Sequence, residues 1–507
     1  MVAAKSGHFD VYDLLVRKGV DLSLVDDDKV DSLMLACEGG NPAIVKHLLS
    51  LKQFDVNKRG VHSMTAIMIA TEKGNYDVFK LLLSEGADLS LLLRFNLNCL
   101  MLACKGGNVQ IVKHLLSMKT FAINRRGGWH EETSIMMAAE SGHFDVYALL
   151  VSEGAEVSPD IGDRGDCLML ACYGGNVSIV KHILSLKTFN VNRRSGLSNE
   201  TPLMAAIMEG HFSIYTHLVS EGADLTVMND YRTNMLMLAC VGGNLSIVKH
   251  LLAMKIFDIN SKGGPDNMSA VLFAAENGHS DVFDVLVSEG ADLSGTQRYN
   301  KNCLMVACTS GNVNIVKHLL STKLFDINER GGWNTATPVM MAARRGHYDV
   351  YHLLVTQGAD LSLTDVDSQD ILMVACKGGN LSIIKHLFSL KDIDVNRRGG
   401  HKRQTPIMLA AENGNVSVFD LLVSEGADLT LSDVDDRNCL MLACYGGNLS
   451  IVKHLLSLKT FDFNRRGGKY NQTPLMVASE RQHHRVYALL VSEGADLSCL
   501  SGNPDRH

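Results

Sequence analysis

Cysteine and histidine carry most of the chain's potential chemistry, and both recur in strict register. Seven cysteines stand at 37, 104, 172, 240, 308, 376 and 444, and four more at 99, 167, 303 and 439. Within a pair such as Cys99 and Cys104 the spacing is five residues along a helix. Zinc sites instead use two-to-four-residue gaps and a second ligand pair nearby. Seven histidines sit in KHLL-like blocks, at His47, His114, His182, His250, His318, His386 and His454. Neighbouring copies lie two helical layers apart, roughly 20 Å at about 10 Å per layer, which is too far to share a metal. Cysteines and histidines alike read as packed side chains, the histidines with a buried hydrogen bond, and the unpaired thiols suit a reducing compartment. Nucleophilic catalysis is not singled out either. Every Ser/His/Asp or Cys/His candidate comes in near-identical copies, whereas an enzyme needs one asymmetric pocket. The run Gly174–Asn176 ends a helix and does not cradle a phosphate. The tripeptide Arg164–Gly165–Asp166 and the sequons at Asn176 and Asn244 are read as chance and as repeat features. No catalytic residue, metal or cofactor is expected.

The register belongs to a repeat. The block LMLAC and the block GADL each step by 67 residues once and by 68 thereafter, through almost all of the 507 residues. A fixed period overrides any domain count drawn from length. Each 68-residue unit divides into halves of 35 and 33 residues. In Thr201–Leu225, Thr201 and Pro202 open a helix, and Leu203, Ala206 and Ile207 follow at helical spacing before Gly210 ends it. A second helix carries Ile214, Leu218 and Val219, and Gly222 closes it with a left-handed turn. The polar stretch from Asp224 to about Thr233 suits a hairpin. Two short helices and a hairpin cannot bury their own apolar face, so the unit needs neighbours on both sides.

These residues resemble the ankyrin repeat. The family pattern T-P-L-H-x-A-A, then G-H, a leucine pair and G-A-D, is matched by TPLMAAIMEGH and HLVSEGADL, over about 15 repeats. The resemblance implies an all-α solenoid of paired antiparallel helices with protruding hairpin loops, forming a curved superhelical array. It covers residues 1–500 as one continuous array, with 501–507 as a short tail. It also gives the G-H histidines (His8, His143, His211, His279 and His347) a structural place.

The chain departs from that pattern in three ways. Methionine replaces the family's histidine in 13 of 14 half-units, with Leu272 the exception. The link that this histidine makes between hairpins must then be made otherwise, and the methionines read as deformable core filler. The 35-residue halves lack the glycine after helix two, so that helix is expected to run longer, with Phe461 capping the core. Finally, Met1–His8 aligns with Met136–His143, so the chain starts inside a repeat. This suggests a fraying first repeat or a piece of something longer. At the other end, Arg481–Arg485 make the last pair more polar.

Composition excludes several classes. The hydrophobic share is 46%, the charged share 20%, the net charge −7 and the isoelectric point about 6.3. Nothing in that balance points to nucleic acid. No apolar run reaches membrane-spanning length and no signal peptide is visible, so a monomeric cytoplasmic array is expected, with the nucleus open.

A binding module is read from where the copies differ. The 35-residue halves end in basic pairs, Arg125–Arg126, Arg193–Arg194, Arg397–Arg398 and Arg465–Arg466. The 33-residue halves place acids there, at Asp26–Asp28, Asp365, Asp367, Asp433, Asp435 and Asp436. The alternation serves salt bridges between hairpins, a zipper-like edge for a charged partner, or both. After the basic pair stand Trp129, Leu197, Pro265, Trp333, His401 and Lys469. The two tryptophans are either interface anchors or lie on their own hairpins. Helix one ends variably too, in Tyr173, Tyr445, Glu140, Met208 and Arg344–Arg345 among others. The family resemblance puts these ends at a concave groove that reads a protein partner. It further implies asparaginyl hydroxylation at Asn57, Asn260 and Asn328, against an asparagine that bonds its own turn. The chain is thus expected to be a non-enzymatic protein-binding scaffold. The alternative is the targeting or regulatory portion of a larger enzyme or channel.

Overall fold

The computed structural model describes residues 1–25, 29–158, 165–196, 198–390 and 393–500, with the side chains of all but Val61, Cys499 and Leu500. Asp26–Asp28, Arg164, Leu197 and the tail 501–507 lie outside the described residues. Among the described residues the chain forms thirty α-helices and two short two-stranded ribbons.

One copy shows why the sequence folds this way. Asp166 caps the helix Cys167–Gly174, its carboxylate accepting from the Met169 N–H at 3.0 Å. All of Cys167–Cys172 is buried. Gly175, at φ 80°, turns the chain, and Asn176 caps the helix Val177–Ser185 by accepting from the Ser178 N–H at 3.0 Å. An uncapped helix start would leave donors unsatisfied, at a cost of about 1 kcal/mol per cap. The second helix buries only Ile179, Val180 and Ile183. The fully apolar first helix is therefore the inner one: Cys167–Gly174 lies between Ser134–Glu140 and Pro202–Met208. Each first helix takes its burial from neighbours, as expected of a stacked repeat.

The longer half-unit does not lengthen its second helix, contrary to expectation. Val177–Ser185 and Phe212–Ser220 both have nine residues. The extra length lies in the connecting segment, 186–201 against 221–234. The helix can stop on time because Lys187 takes φ 55° where the shorter half-unit uses Gly222 at φ 87°. Lysine pays some steric strain for that left-handed turn. Phe461 is half-buried, beside Phe463 and Leu489.

The described chain falls into two units, one from Met1 to Phe257 and one from Asp258 on, with the same helix pairs in each. Within the first, the Gly128 N–H donates to the Phe95 carbonyl at 2.8 Å. Within the second, Gly332 donates to Tyr299 at 2.9 Å, Gly400 to Asp367 at 2.8 Å and Gly468 to Asp435 at 2.7 Å. These backbone bonds tie hairpin to hairpin where the methionines cannot. The methionines are core: Met169 and Met305 are at most 1% exposed. Met305 lies beneath Gly331, where an added β-carbon would stand 2.6 Å from its sulfur.

Candidate protein-interaction surface

The paired arginines divide their labour. The second of each pair closes its own hairpin by donating to a carbonyl five residues on: Arg126 to Glu131 at 3.2 Å, Arg194 to Asn199 at 3.1 Å, Arg398 to Arg403 at 3.2 Å and Arg466 to Asn471 at 3.3 Å. Arg194 also reaches the next hairpin, at the Met228 carbonyl 2.8 Å away, and Arg398 likewise reaches Ser432. The first arginine faces the cap of helix one, 27 residues back. Arg397 lies 3.6 Å from Asp370, Lys58 lies 3.2 Å from Asp31, and the charge of Arg193 acts on Asp166. Arg465 binds Asp436 at 2.5 Å, and Arg125 lines a groove with Asn98 and Leu89. Where the cap is Asn302, the facing residue is an acid, and its amide donates to Glu329 at 2.5 Å. Much of the basic edge is thus occupied within the array.

The acidic edge is occupied too. Asp365 and Asp433 are buried, not exposed at tips. Asp365 accepts from the Asp367 and Gln369 N–H groups at 3.0 and 2.8 Å. Asp433 accepts from its own turn and from the Arg437 side chain at 2.7 Å. Burial supplies the reason, because an acid inside a tight turn replaces the water that the turn's N–H groups have lost.

Burial also raises the pKa of Asp370, against the Met373 N–H and the Arg397 charge, which lower it. A carboxyl whose pKa is raised on folding binds protons more tightly when folded, so its contribution to stability falls as pH rises from about 4 through the folded value. Asp370→Asn is therefore expected to stabilise the protein at pH 7, by about 0.5–1 kcal/mol, the scale of one hydrogen-bonding group. The gain should shrink towards pH 4. Asn98 and Asn438 already cap the same position opposite an arginine. Urea unfolding at pH 7 and pH 4 measures the effect, and a loss at pH 7 would contradict it.

Trp129 and Trp333 are 70% and 76% exposed. Each sets one edge against an aromatic of the preceding hairpin, Phe95 at 4.7 Å and Tyr299 at 5.1 Å between ring centroids. They lie on neighbouring hairpins and still show most of their surface. Among the helix-one ends, Tyr173 donates to Glu200 at 2.9 Å, and Tyr445 lies beneath Arg481 at 3.7 Å. Glu140 and Met208 are half-buried at the equivalent place. Arg344 lies 3.7 Å from Asp365, and Arg345 is exposed.

The candidate asparagines bond the following repeat and not only their own turn. The Asn57 carbonyl accepts from the Asp88 N–H at 2.8 Å and its amide donates to Gly86 at 3.2 Å. Asn260 accepts from Asp292 and Asn328 from Asp360, both at 2.8 Å. Asn124, Asn192, Asn396 and Asn464 do the same. The sequon asparagines are engaged likewise, the amides of Asn176 and Asn244 donating to Gly142 and Gly210.

Sequence reasoning missed the partners of the KHLL histidines. Thirty-five residues before each stands an aromatic from the preceding repeat. The hydroxyls of Tyr12, Tyr147, Tyr215 and Tyr351 meet Nδ1 of His47, His182, His250 and His386 at 2.6–3.0 Å. Phe79, Phe283 and Phe419 instead set a ring edge against His114, His318 and His454 at 5.5 Å. The signal was a column that is always tyrosine or phenylalanine. Among the G-H histidines, His143, His211 and His347 bond the end of the first helix of the preceding 35-residue half, at the Lys105, Tyr173 and Thr309 carbonyls. The eleven described cysteines are buried and unbridged, and burial pushes the Cys99, Cys303 and Cys439 thiols up to about 12. Such thiols carry little thiolate at neutral pH. Among the described residues no cluster of His, Cys, Asp and Glu could hold a metal, and no helix is long and apolar enough to cross a membrane.

Two clefts occur at one register, between a hairpin and the end of helix one, two 68-residue units apart. One, of about 330 Å³, brings together Trp333, Arg344 and Arg345 with Lys301, which sequence reasoning did not single out. The other, of about 520 Å³, holds Tyr445, Arg437, Lys469, Tyr470, Glu480 and Arg481. Both are open surface clefts suited to side chains of another molecule.

Comparison with known proteins agrees with this architecture. The family described as Ankyrin repeats (3 copies) matches over 1–92, 89–161, 159–230, 236–331, 271–365, 339–433 and 407–500. The chain is 28% identical over 446 residues to the ankyrin repeat and KH domain-containing protein mask-1 of Caenorhabditis elegans, covering 84% of this chain and 17% of that protein. It is 25% identical over 476 residues to the human transient receptor potential cation channel subfamily A member 1, covering 90% of this chain and 38% of the channel. The chain thus spans less than half the length of these relatives. The human ASB11 ankyrin repeat domain matches with a TM-score of 0.36 and 24% identity, over 45% of this chain and 98% of that one. With family matches running through residues 1–500 and stacked pairs of short helices recurring among the described residues, the chain belongs to the ankyrin repeat family.

Proposed function

We propose that the chain is a non-enzymatic docking scaffold that engages a protein partner through its helix-one ends and hairpin tips. The observation that carries this reading is the contrast between columns. Residues that cap, stack and staple agree from copy to copy. By contrast, position 129/333/401/469 and the helix-one ends change charge, size and aromaticity while remaining at the surface. Variation on a constant frame is how one fold acquires a specific partner. Exposed Trp129 and Trp333 are suitable anchors, since aromatic residues dominate binding hot spots.

A second reading makes the same surface the targeting or regulatory portion of a larger polypeptide. It is favoured by the relatives, a KH-domain protein and a cation channel, of which the matched lengths are 17% and 38%.

Affinity capture from native extract, with the array and with Trp129, Arg193, Trp333 and Arg344 changed together, tests the docking surface. Loss of a captured protein supports it, and an unchanged set of captured proteins moves the surface elsewhere. Isolation of the native polypeptide distinguishes the second reading, which expects a mass well above 55.3 kDa.

A further inference from the structure

The cleft around Trp333 is lined by cations and no acid, whereas the equivalent cleft around Tyr445 also holds Asp435 and Glu480. At the position of Arg344, the equivalent residues are Glu72, Glu140, Met208, Glu276, Glu412 and Glu480. Arg344 is therefore a charge reversal in a column that is otherwise acidic or neutral. At the next position Arg345 stands where other copies have Ser141, Glu209, Asn277 and Asn413, or the cations Lys73 and Arg481, and Lys301 stands where three others have Thr233, Gln369 and Arg437. Three cations thus line one cleft beside an exposed indole.

The equivalent cleft is an internal control. There Arg437 is held by Asp433 at 2.7 Å and Arg481 lies 3.7 Å above the Tyr445 ring, so both guanidinium groups are occupied within the chain. In the Trp333 cleft Arg344 has Asp365 at 3.7 Å and donates to the Asn334 amide oxygen at 3.0 Å, while Lys301 and Arg345 make no salt bridge among the described residues. Burial lowers the pKa of Lys301 most, Glu276 and Asp266 attract its charge, and Arg345 repels it. Burial and that repulsion both act against the lysine's charge, and an incoming anion would relieve them. Trp333 stands against Tyr299, which Arg298 flanks at 5.3 Å, so the rim offers an apolar platform beside the cations.

We propose that this cleft, formed by Lys301, Trp333, Arg344 and Arg345, receives an acidic polypeptide segment, a carboxylate side chain meeting the three cations and a neighbouring apolar side chain covering the indole. Guanidinium forks suit carboxylates geometrically, and an indole face suits an aliphatic or aromatic neighbour. The inference deepens the scaffold reading on which it rests, by naming partner chemistry and one subsite.

The test uses the full chain and a fluorescein-labelled decapeptide of alternating glutamate and leucine, read by fluorescence anisotropy. Its lysine-for-glutamate counterpart and inorganic phosphate serve as controls. Arg344→Glu combined with Arg345→Asn installs residues that other copies carry at these positions, and circular dichroism verifies that the variant is folded. The acidic peptide is expected to bind the unaltered chain and to lose at least ~10-fold in affinity in the double variant, the scale of one or two charge-assisted contacts. Arg481→Asn, in the equivalent cleft, should leave affinity within about 2-fold, a difference of less than 0.5 kcal/mol. The lysine peptide should not bind. No binding of the acidic peptide at 1 mM (roughly −4 kcal/mol), equal losses in the two variants, or equal competition by phosphate and by unlabelled peptide would each overturn the proposal. If the double variant still captures the same proteins from extract, the subsite fails while the scaffold reading stands. Loss of all capture by the four-residue variant of the preceding section, with the acidic peptide inert, leaves the scaffold and removes the acidic partner.

Discussion

Gly174→Ala is expected to destabilise the array by about 2–4 kcal/mol, the range of overpacking combined with backbone displacement. A β-carbon on Gly174 would stand 2.2 Å from the Ala139 carbonyl oxygen and 2.6 Å from that of Glu140. Both are main-chain atoms at the end of the preceding first helix, so no rotamer change can relieve the clash. Gly106 and Gly242 meet the preceding helix in the same way, at 2.3 Å from Glu72 and Ile207. The two helices must therefore separate by several tenths of an ångström, and the inner layer of Ala171, Cys172 and Ala139 loses contact at each one. Ser310 occupies the equivalent place in one copy, where its hydroxyl donates to Ala307 at 3.0 Å. A layer built around a side chain can thus accept one, which keeps the expected loss finite. Urea unfolding followed by circular dichroism measures it. A variant as stable as the parent would show that neighbouring first helices are not held at this contact.

The second large effect concerns Tyr147, one of the largest fully buried side chains. Tyr147→Ala should cost about 3–5 kcal/mol, as removal of a buried aromatic does. Tyr147→Phe should cost only about 0.5–1.5 kcal/mol, the net worth of one hydrogen bond. The hydroxyl meets Nδ1 of His182 at 2.8 Å, and the rings stand edge to face at 5.6 Å between centroids. Phenylalanine keeps the ring contact and gives up the hydrogen bond. Three other layers already live with that arrangement, at Phe79, Phe283 and Phe419. His182 is half-exposed, so water can take over its ring nitrogen in the phenylalanine variant. Equal losses for the two substitutions would mean that the hydroxyl carries the contact, and the ring-packing account would fail.

The helices were legible because their determinants are local. Gly175 and Gly222 mark turns by their position after an apolar run, and Asn176 caps the next helix whatever surrounds it. The buried state of Cys172 and Met169 followed from the same pattern, since a helix apolar on every side has to be an inner one. What the chain did not announce lies between residues about 27, 32 or 35 positions apart. Asp370 with Arg397, Asn57 with Asp88 and Tyr147 with His182 are each unremarkable as single residues. The basic pairs show the consequence. Read along the chain, Arg193 and Arg194 are two equal charges on a tip. In the fold one faces a helix cap and the other fastens carbonyls of two hairpins.

By itself the sequence determined the repeat, the two-helix unit, the need for stacked neighbours and the columns that vary, because period, capping and apolar pattern are properties of short stretches of chain. Only the tertiary structure decided which charges are consumed internally and which remain available to a partner. Whether Arg345 differs from Arg481 depends on a ring or a carboxylate supplied by another repeat, and stacking alone sets that distance.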